Sequence, residues 1–158
     1  MSRIFRLANE DKLSSDSICY MVDSTYKTLT DILTPTVLYE GAFTSTSTGS
    51  VTLTMSKNNF KRIRVAYRLD GWGVTNIHYR DVKVNKSGLN DIMIDMVYGW
   101  SGTTIQIREA VLNINDKTVT WLSGRNMYRE LSNGAVSAGG AAKSGAALTV
   151  VGIYGLYY

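Results

Sequence analysis

VTLTMSKNNFKRIRVAYRL, residues 51–69, holds two runs of alternating polarity on either side of a polar centre. In the first, Val51, Leu53 and Met55 alternate with Thr52, Thr54 and Ser56. In the second, Ile63, Val65, Tyr67 and Leu69 alternate with Arg62, Arg64, Ala66 and Arg68. Alternation with period two places successive side chains on opposite faces of a strand. Ser56 to Asn59 between the runs predicts a short turn, and hence an antiparallel hairpin with one apolar face and one Thr/Arg face. The rest of the chain is expected to cover that apolar face.

Working outward, Thr36–Phe43 reads as a strand, followed by the Thr/Ser loop 44–49. Beyond Asp70-Gly71, Ile77–Val84 reads as a strand whose alternation slips near Arg80 and Asp81, which suggests a bulge. Asp91–Tyr98 alternates again. Thr103–Ile114 forms a long strand with a phase change at 108–110, and the tight turn Asn115-Asp116-Lys117 pairs it with Thr118–Leu122. Residues 124–137 carry a weaker strand signal, and AGGAAKSGAA, residues 138–147, reads as a small-residue loop. LTVVGIYGLYY, residues 148–158, holds no charge and is apolar on both faces, so it belongs in the middle of a sheet or against another subunit. About eight or nine strands separated by turn signals predict an all-β antiparallel sandwich, jelly-roll-like, over residues 36–158.

Residues 1–35 differ in character and form a separate N-terminal segment for attachment or oligomerisation. Two readings of it stand side by side. In one, Cys19, Val22, Tyr26, Leu29 and Leu33 form a two-heptad helical seam, with Val22, Tyr26, Leu29 and Leu33 holding partner chains together. In the other, residues 17–22 are a strand, Asp23-Ser24 a turn, and Thr28 caps a short helix ending at Leu33. Pro35 ends the element in both, because the residue before a proline is pushed out of the helical region.

Composition narrows the function classes. The 158 residues suit one main domain with a small accessory segment. The formal charge is +4, but no run holds three or more Lys or Arg, so the clustered footprint of a nucleic-acid binder is missing. The single cysteine, Cys19, cannot form an internal disulfide. Residues 1–16 carry no signal-peptide core, and no apolar run approaches the length of a membrane helix, so no membrane insertion is expected.

No catalytic constellation emerges. The one histidine, His78, has neither a cysteine nor a second histidine at ligand spacing, so no metal site is expected. Asp91 and Asp95 share a strand face about 13 Å apart, too far for paired-carboxylate chemistry. No nucleotide or acyl-transfer fingerprint is present, and no cofactor is expected. Surface aromatics remain. Trp72 and Trp100 sit in glycine-flanked turns, GWG and GWSG, with Tyr98 beside the second. Aromatic rings on loops stack on sugars or anchor protein partners, so Trp72, Tyr98 and Trp100 are the candidate ligand-binding residues. Alternatively, each Trp folds back to plug an open end of the sandwich. Trp121 is expected in the core.

VLYEGAFTSTSTGSVTLTMS, then NNFKRIRVAYR, closed by VVGIYGLYY and preceded by the helix-like KTLTDIL, resembles β-rich domains of tail fibre, baseplate and other virion surface proteins from phages of Gram-positive bacteria. The resemblance covers most of residues 28–69 and the C-terminal strand. It implies a non-enzymatic virion protein, a homotrimer assembled in the host cytoplasm and presented on the particle exterior. Its partners would be other virion proteins and a host cell-surface glycan. A free carbohydrate-binding module and a capsid decoration or head fibre protein share the same expected fold.

Overall fold

A computed structural model of the chain describes residues 19–22, 25–70, 76–101, 104–123, 125, 127–132, 135–136, 140–141 and 147–158. In chain order the elements are β1 (Cys19–Val22), β2 (Thr25–Thr28), α1 (Leu29–Leu33), β3 (Thr36–Thr44), β4 (Ser50–Thr52), β5 (Arg62–Leu69), β6 (His78–Lys83), β7 (Asn90–Ser101), β8 (Thr104–Asn115), β9 (Thr118–Trp121), β10 (Met127–Ser132), β11 (Ala135–Val136), β12 (Gly140–Ala141) and β13 (Leu148–Leu156).

From Thr36 onward the strands form two antiparallel sheets packed as a β-sandwich. One sheet has the order β3-β13-β5-β6. In the other, β8 pairs with β7 along one edge and with β9 and β10 in succession along the opposite edge; β4 lies outside β9. The jelly-roll-like element is the nesting: β3 lies beside the last strand β13, and β4 beside β9, while β5–β6 and β7–β8 are hairpins within their sheets.

The alternation read from the sequence decides which side chains meet between the sheets. Ile63, Val65, Tyr67 and Leu69 of β5 face Ile92, Ile94 and Met96 of β7 and Leu112 and Ile114 of β8 within one buried cluster, with Leu38, Phe43, Val150 and Ile153. Trp121 packs against this cluster, stacked on Phe43 with ring centroids 5.7 Å apart. The uncharged strand β13 lies between β3 and β5, as its two apolar faces require. A register shift between Val150 and Gly152 switches its phase, so Val150 and Ile153 both point inward and Gly152 and Tyr154 point outward.

Several expectations are corrected. The two runs in 51–69 do not pair: β4 belongs to one sheet and β5 to the other, and the polar stretch between them crosses the end of the sandwich through a 3-10 turn, Lys57–Asn59. Identical alternation serves two strands of one hairpin or two strands facing each other across a core, and β5 finds its partners in β13 and β6. β6 carries no bulge, since its register with β5 runs unbroken from Arg62↔Lys83 to Tyr67↔His78. It is an edge strand with most residues exposed, so burial does not enforce its alternation.

β8 has no phase change either. Gln106, Arg108, Ala110, Leu112 and Ile114 are all buried on its inward side, and the polar first pair mimics a switch. Its outer face carries Ile105, which with Met93 and Val97 of β7 is 43–61% exposed. Within the small-residue loop, Gly140–Ala141 forms a strand beside β10.

The heptad reading is also corrected. Val22 and Tyr26 lie in the antiparallel hairpin β1–β2, and only Leu29 and Leu33 are helical. A two-heptad helix without packing partners is marginal in water, while Tyr20, Val22, Tyr26 and the threonines favour strands. The second reading holds for the described part: β1 is a strand and the short helix α1 starts at Leu29, directly after Thr28, and ends at Leu33, with β2 as an added strand between them, while the expected turn at Asp23-Ser24 lies outside the described residues.

Candidate functional site

The outer face of the β3-β13-β5-β6 sheet gathers polar and aromatic side chains, because the inward residues of β5 leave its arginines facing out. Arg64 forms a two-point ion pair with Asp81 on the neighbouring β6. Its Nε donates to Oδ1 at 2.7 Å and its Nη2 to Oδ2 at 2.8 Å. Paired in this way, Asp81 is held below its ordinary value by the hydrogen bonds from Arg64, and Arg64 is pushed up by the same bonds. The guanidinium carbon of Arg64 also lies 5.8 Å from the centre of the Tyr79 ring, within cation–π range. Tyr79 is 61% exposed.

On the other side of Arg64 lies Tyr154, its Cα partner on β13. A methyl group placed on Gly152 would sit 2.5 Å from Tyr154 Oη and 2.8 Å from its Cζ, so the ring lies down over the Gly152 backbone. Glycine at that position is what lets the ring lie flat on the sheet. Tyr154 is half-buried. The platform is thus Tyr154 and Tyr79 around an Arg64–Asp81 pair joined by two hydrogen bonds, with guanidinium N–H groups and carboxylate lone pairs left for a ligand. One row toward the Lys57 end, Arg62 and Lys83 are Cα partners and both are exposed. Toward the other end, Arg68 Nε donates to Asp70 Oδ1 at 2.8 Å, and the buried Thr149 hydroxyl donates to the second Asp70 oxygen.

Chemically, a flat aromatic surface beside fixed donors and acceptors suits a ligand with an apolar ring face and peripheral hydroxyls. Among the described residues no group of three His, Cys, Asp or Glu could hold a metal ion. No helix among them is long and apolar enough to cross a membrane.

Of the residues singled out in the sequence, Trp72 lies outside the described residues. Tyr98 and Trp100 are described only in the backbone of β7, where Tyr98 pairs with Gln106; their rings lie outside the described part. The strand directions still place the flanking backbone. β5 ends at Leu69–Asp70, where the Asp70 N–H donates to Ala147 O, and β7 ends at Ser101. Both lie at the end of the sandwich opposite the connections 53–61, 84–89 and 116–117. The side chains of Val22 and Tyr26 are likewise outside the described part, Leu29 is half-buried and Leu33 is 58% exposed.

The platform residues Arg64, Tyr79, Asp81 and Tyr154 escaped the sequence reading because each looks ordinary within its own strand. The available signal was Gly152-x-Tyr154 in an otherwise apolar strand, a glycine spaced to receive a ring on the same face.

No protein-family model matches the chain, and no curated protein matches it. Its functional reading therefore rests on its own residues.

Proposed function

We propose that the chain is a non-enzymatic virion surface protein of tail fibre or receptor-binding type that holds a host cell-surface saccharide on the outer face of its β-sandwich. The observation that carries this reading is the platform: Tyr154 lying over Gly152, the Arg64–Asp81 pair beside it and the exposed Tyr79 beyond. Sugar rings present axial hydrogens to an aromatic face and equatorial hydroxyls to a coplanar carboxylate and guanidinium, so both parts of the platform are used at once. A single shallow site of this kind binds weakly. Several copies on one particle, assembled through residues 1–35 as a homotrimer and attached to other virion proteins, convert it into tight attachment. Tyr98 and Trp100, near the end of β7, and Trp72 remain candidate ligand contacts in the same reading.

Binding of the labelled chain to purified Gram-positive cell walls, with its variants alongside, tests the proposal. Tyr79→Ala and Tyr154→Ala are expected to weaken retention about 2- to 10-fold each, given ~0.5–1.5 kcal/mol per stacked ring. Gly152→Ala is the more telling variant. Its new methyl displaces only the far end of the Tyr154 side chain, so the fold survives while the platform is lost. Retention of all three variants at the level of the parent chain would remove the platform from the reading; a parent chain that adheres to no wall would remove the reading itself. A free carbohydrate-binding module would use the same platform, and a monomer in solution would favour it. A capsid decoration or head fibre protein would use it with a different attachment partner.

A further inference from the structure

The outer face of β7 and β8 is apolar where the solvent side of an antiparallel sheet is ordinarily polar. Ile92, Ile94 and Met96 of β7 and Arg108, Ala110 and Leu112 of β8 are buried, so the residues that alternate with them point outward. Cross-strand pairing sets these in rows: Met93 opposite Val111, Asp95 opposite Glu109, Val97 opposite Ile107, and Ile105 opposite Gly99. Met93, Val97 and Ile105 are exposed, and Val111 and Ile107 are half-buried beside them. A contiguous apolar patch of this kind marks an interaction surface. One row within it is acidic, and Asp95 keeps 44% of its side chain exposed with Arg80 at 3.7 Å. The complementary occupant is an apolar segment that carries positive charge between its apolar residues.

Arg3-Ile4-Phe5-Arg6-Leu7 has that composition. It lies outside the described residues, ahead of β1. The Met93 and Val97 rows are about 14 Å apart, four residues at a ~3.4 Å rise, and five extended residues cover the same ~14 Å. Residues 8–18 can stretch roughly 35–40 Å before Cys19, enough to reach an adjoining domain of this size.

Resting on the trimer reading above, we infer that residues 3–7 of one copy dock on the outer β7–β8 face of a neighbouring copy. Ile4, Phe5 and Leu7 cover Met93, Val97 and Ile105, while Arg3 and Arg6 donate charge-assisted hydrogen bonds to the carboxylates of Asp95 and Glu109. Apolar burial supplies the attraction, and the acidic row between two apolar rows fixes where along the strands the segment sits.

Light scattering across a dilution series, on the full chain and its variants, tests this. Arg3→Glu with Arg6→Glu in the segment is expected to weaken association about tenfold or more, because it sets like charge against like. Asp95→Lys with Glu109→Lys on the face is expected to do the same, and all four substitutions together are expected to restore the parent mass. Val97→Lys with Ile105→Lys, which charges the apolar rows, is expected to weaken association to a similar degree. The substituted face residues are all at least partly exposed, and a far-UV circular dichroism spectrum like the parent's separates lost association from lost fold. Recovery of the trimer by the combined charge reversal supports the inference, since a role confined to folding gives no such rescue. Trimers in every variant, or no recovery in the combined one, overturn the inference and leave the trimer reading standing. A monomeric parent chain overturns both.

Discussion

Lys57 is the residue on which the closed end of the sandwich depends. Only 1% of it is exposed, and its Nζ donates to the carbonyls of Asn85 and Gly88, the latter at 2.9 Å, and to Asn58 Oδ1 at 3.3 Å. The Lys57 N–H in turn donates to Asp116 O, so one residue joins three connections. Burial pushes the Lys57 ammonium below its ordinary value, with Asp116 opposing. Lys57→Met keeps the aliphatic stem and orphans the carbonyls. It is expected to lower stability by about 2–3 kcal/mol in urea titration, and an unchanged midpoint would show that water replaces the ammonium at no cost.

The sign of the pH effect follows from the depressed value. Between the folded-state value and the ordinary 10.5, the unfolded chain binds the extra proton, so the Lys57 contribution to stability increases as pH rises through that window. Gly155 is a second fixed point: a methyl group there would sit 2.5 Å from Phe60 Cγ, in a ring that is 1% exposed. Gly155→Ala is therefore expected to cost about 1–3 kcal/mol as overpacking. Gly152→Ala, which meets only the tip of Tyr154, should cost less, and comparing the two thermal melts checks the difference.

At the scale of elements, the Arg64–Asp81 pair ties the edge strand β6 to β5. Asp81 is held below its ordinary value of 3.8, first by the Arg64 hydrogen bonds, against the upward pull of burial. Its stabilising contribution is thus fully present above the unfolded value and is lost as pH falls from there through the folded one. Both partners are about a third exposed, so the loss is expected to be no more than about 1 kcal/mol. Urea midpoints from pH 6 to pH 2 should show this acid limb in the parent chain and a shallower one in Asp81→Asn.

Strand existence was legible in the sequence wherever one face is buried: β3, β5, β7, β8, β9 and β13 all fall where alternation or an uncharged apolar run put them. Strand partnership was not. β4 and β5 alternate alike, yet they belong to opposite sheets, because period two reports which face is buried and carries no information about which neighbour buries it. The apparent irregularities in β6 and β8 have the same origin, one strand lying at an edge and the other turning Gln106 and Arg108 inward.

For the whole molecule, the prediction concerns assembly. The full chain is expected to run as a trimer, and a chain beginning at Thr36 as a monomer, in light scattering. A truncated chain that stays trimeric would move the contact to the sandwich, where Met93, Val97 and Ile105 expose an apolar outer face; a monomer in both cases would end the trimer proposal. By itself the sequence determined the all-β class, the inward residues of the principal strands and the central place of the uncharged last strand, because burial periodicity and charge are local properties of a chain. Only the tertiary structure decided that residues 51–69 bridge two sheets, that Lys57 closes one end, and that Tyr79, Asp81, Arg64 and Tyr154 share a surface. Those residues lie on three strands drawn from positions 64 to 154, and the long-range register between strands, which no local pattern encodes, is what brings them side by side.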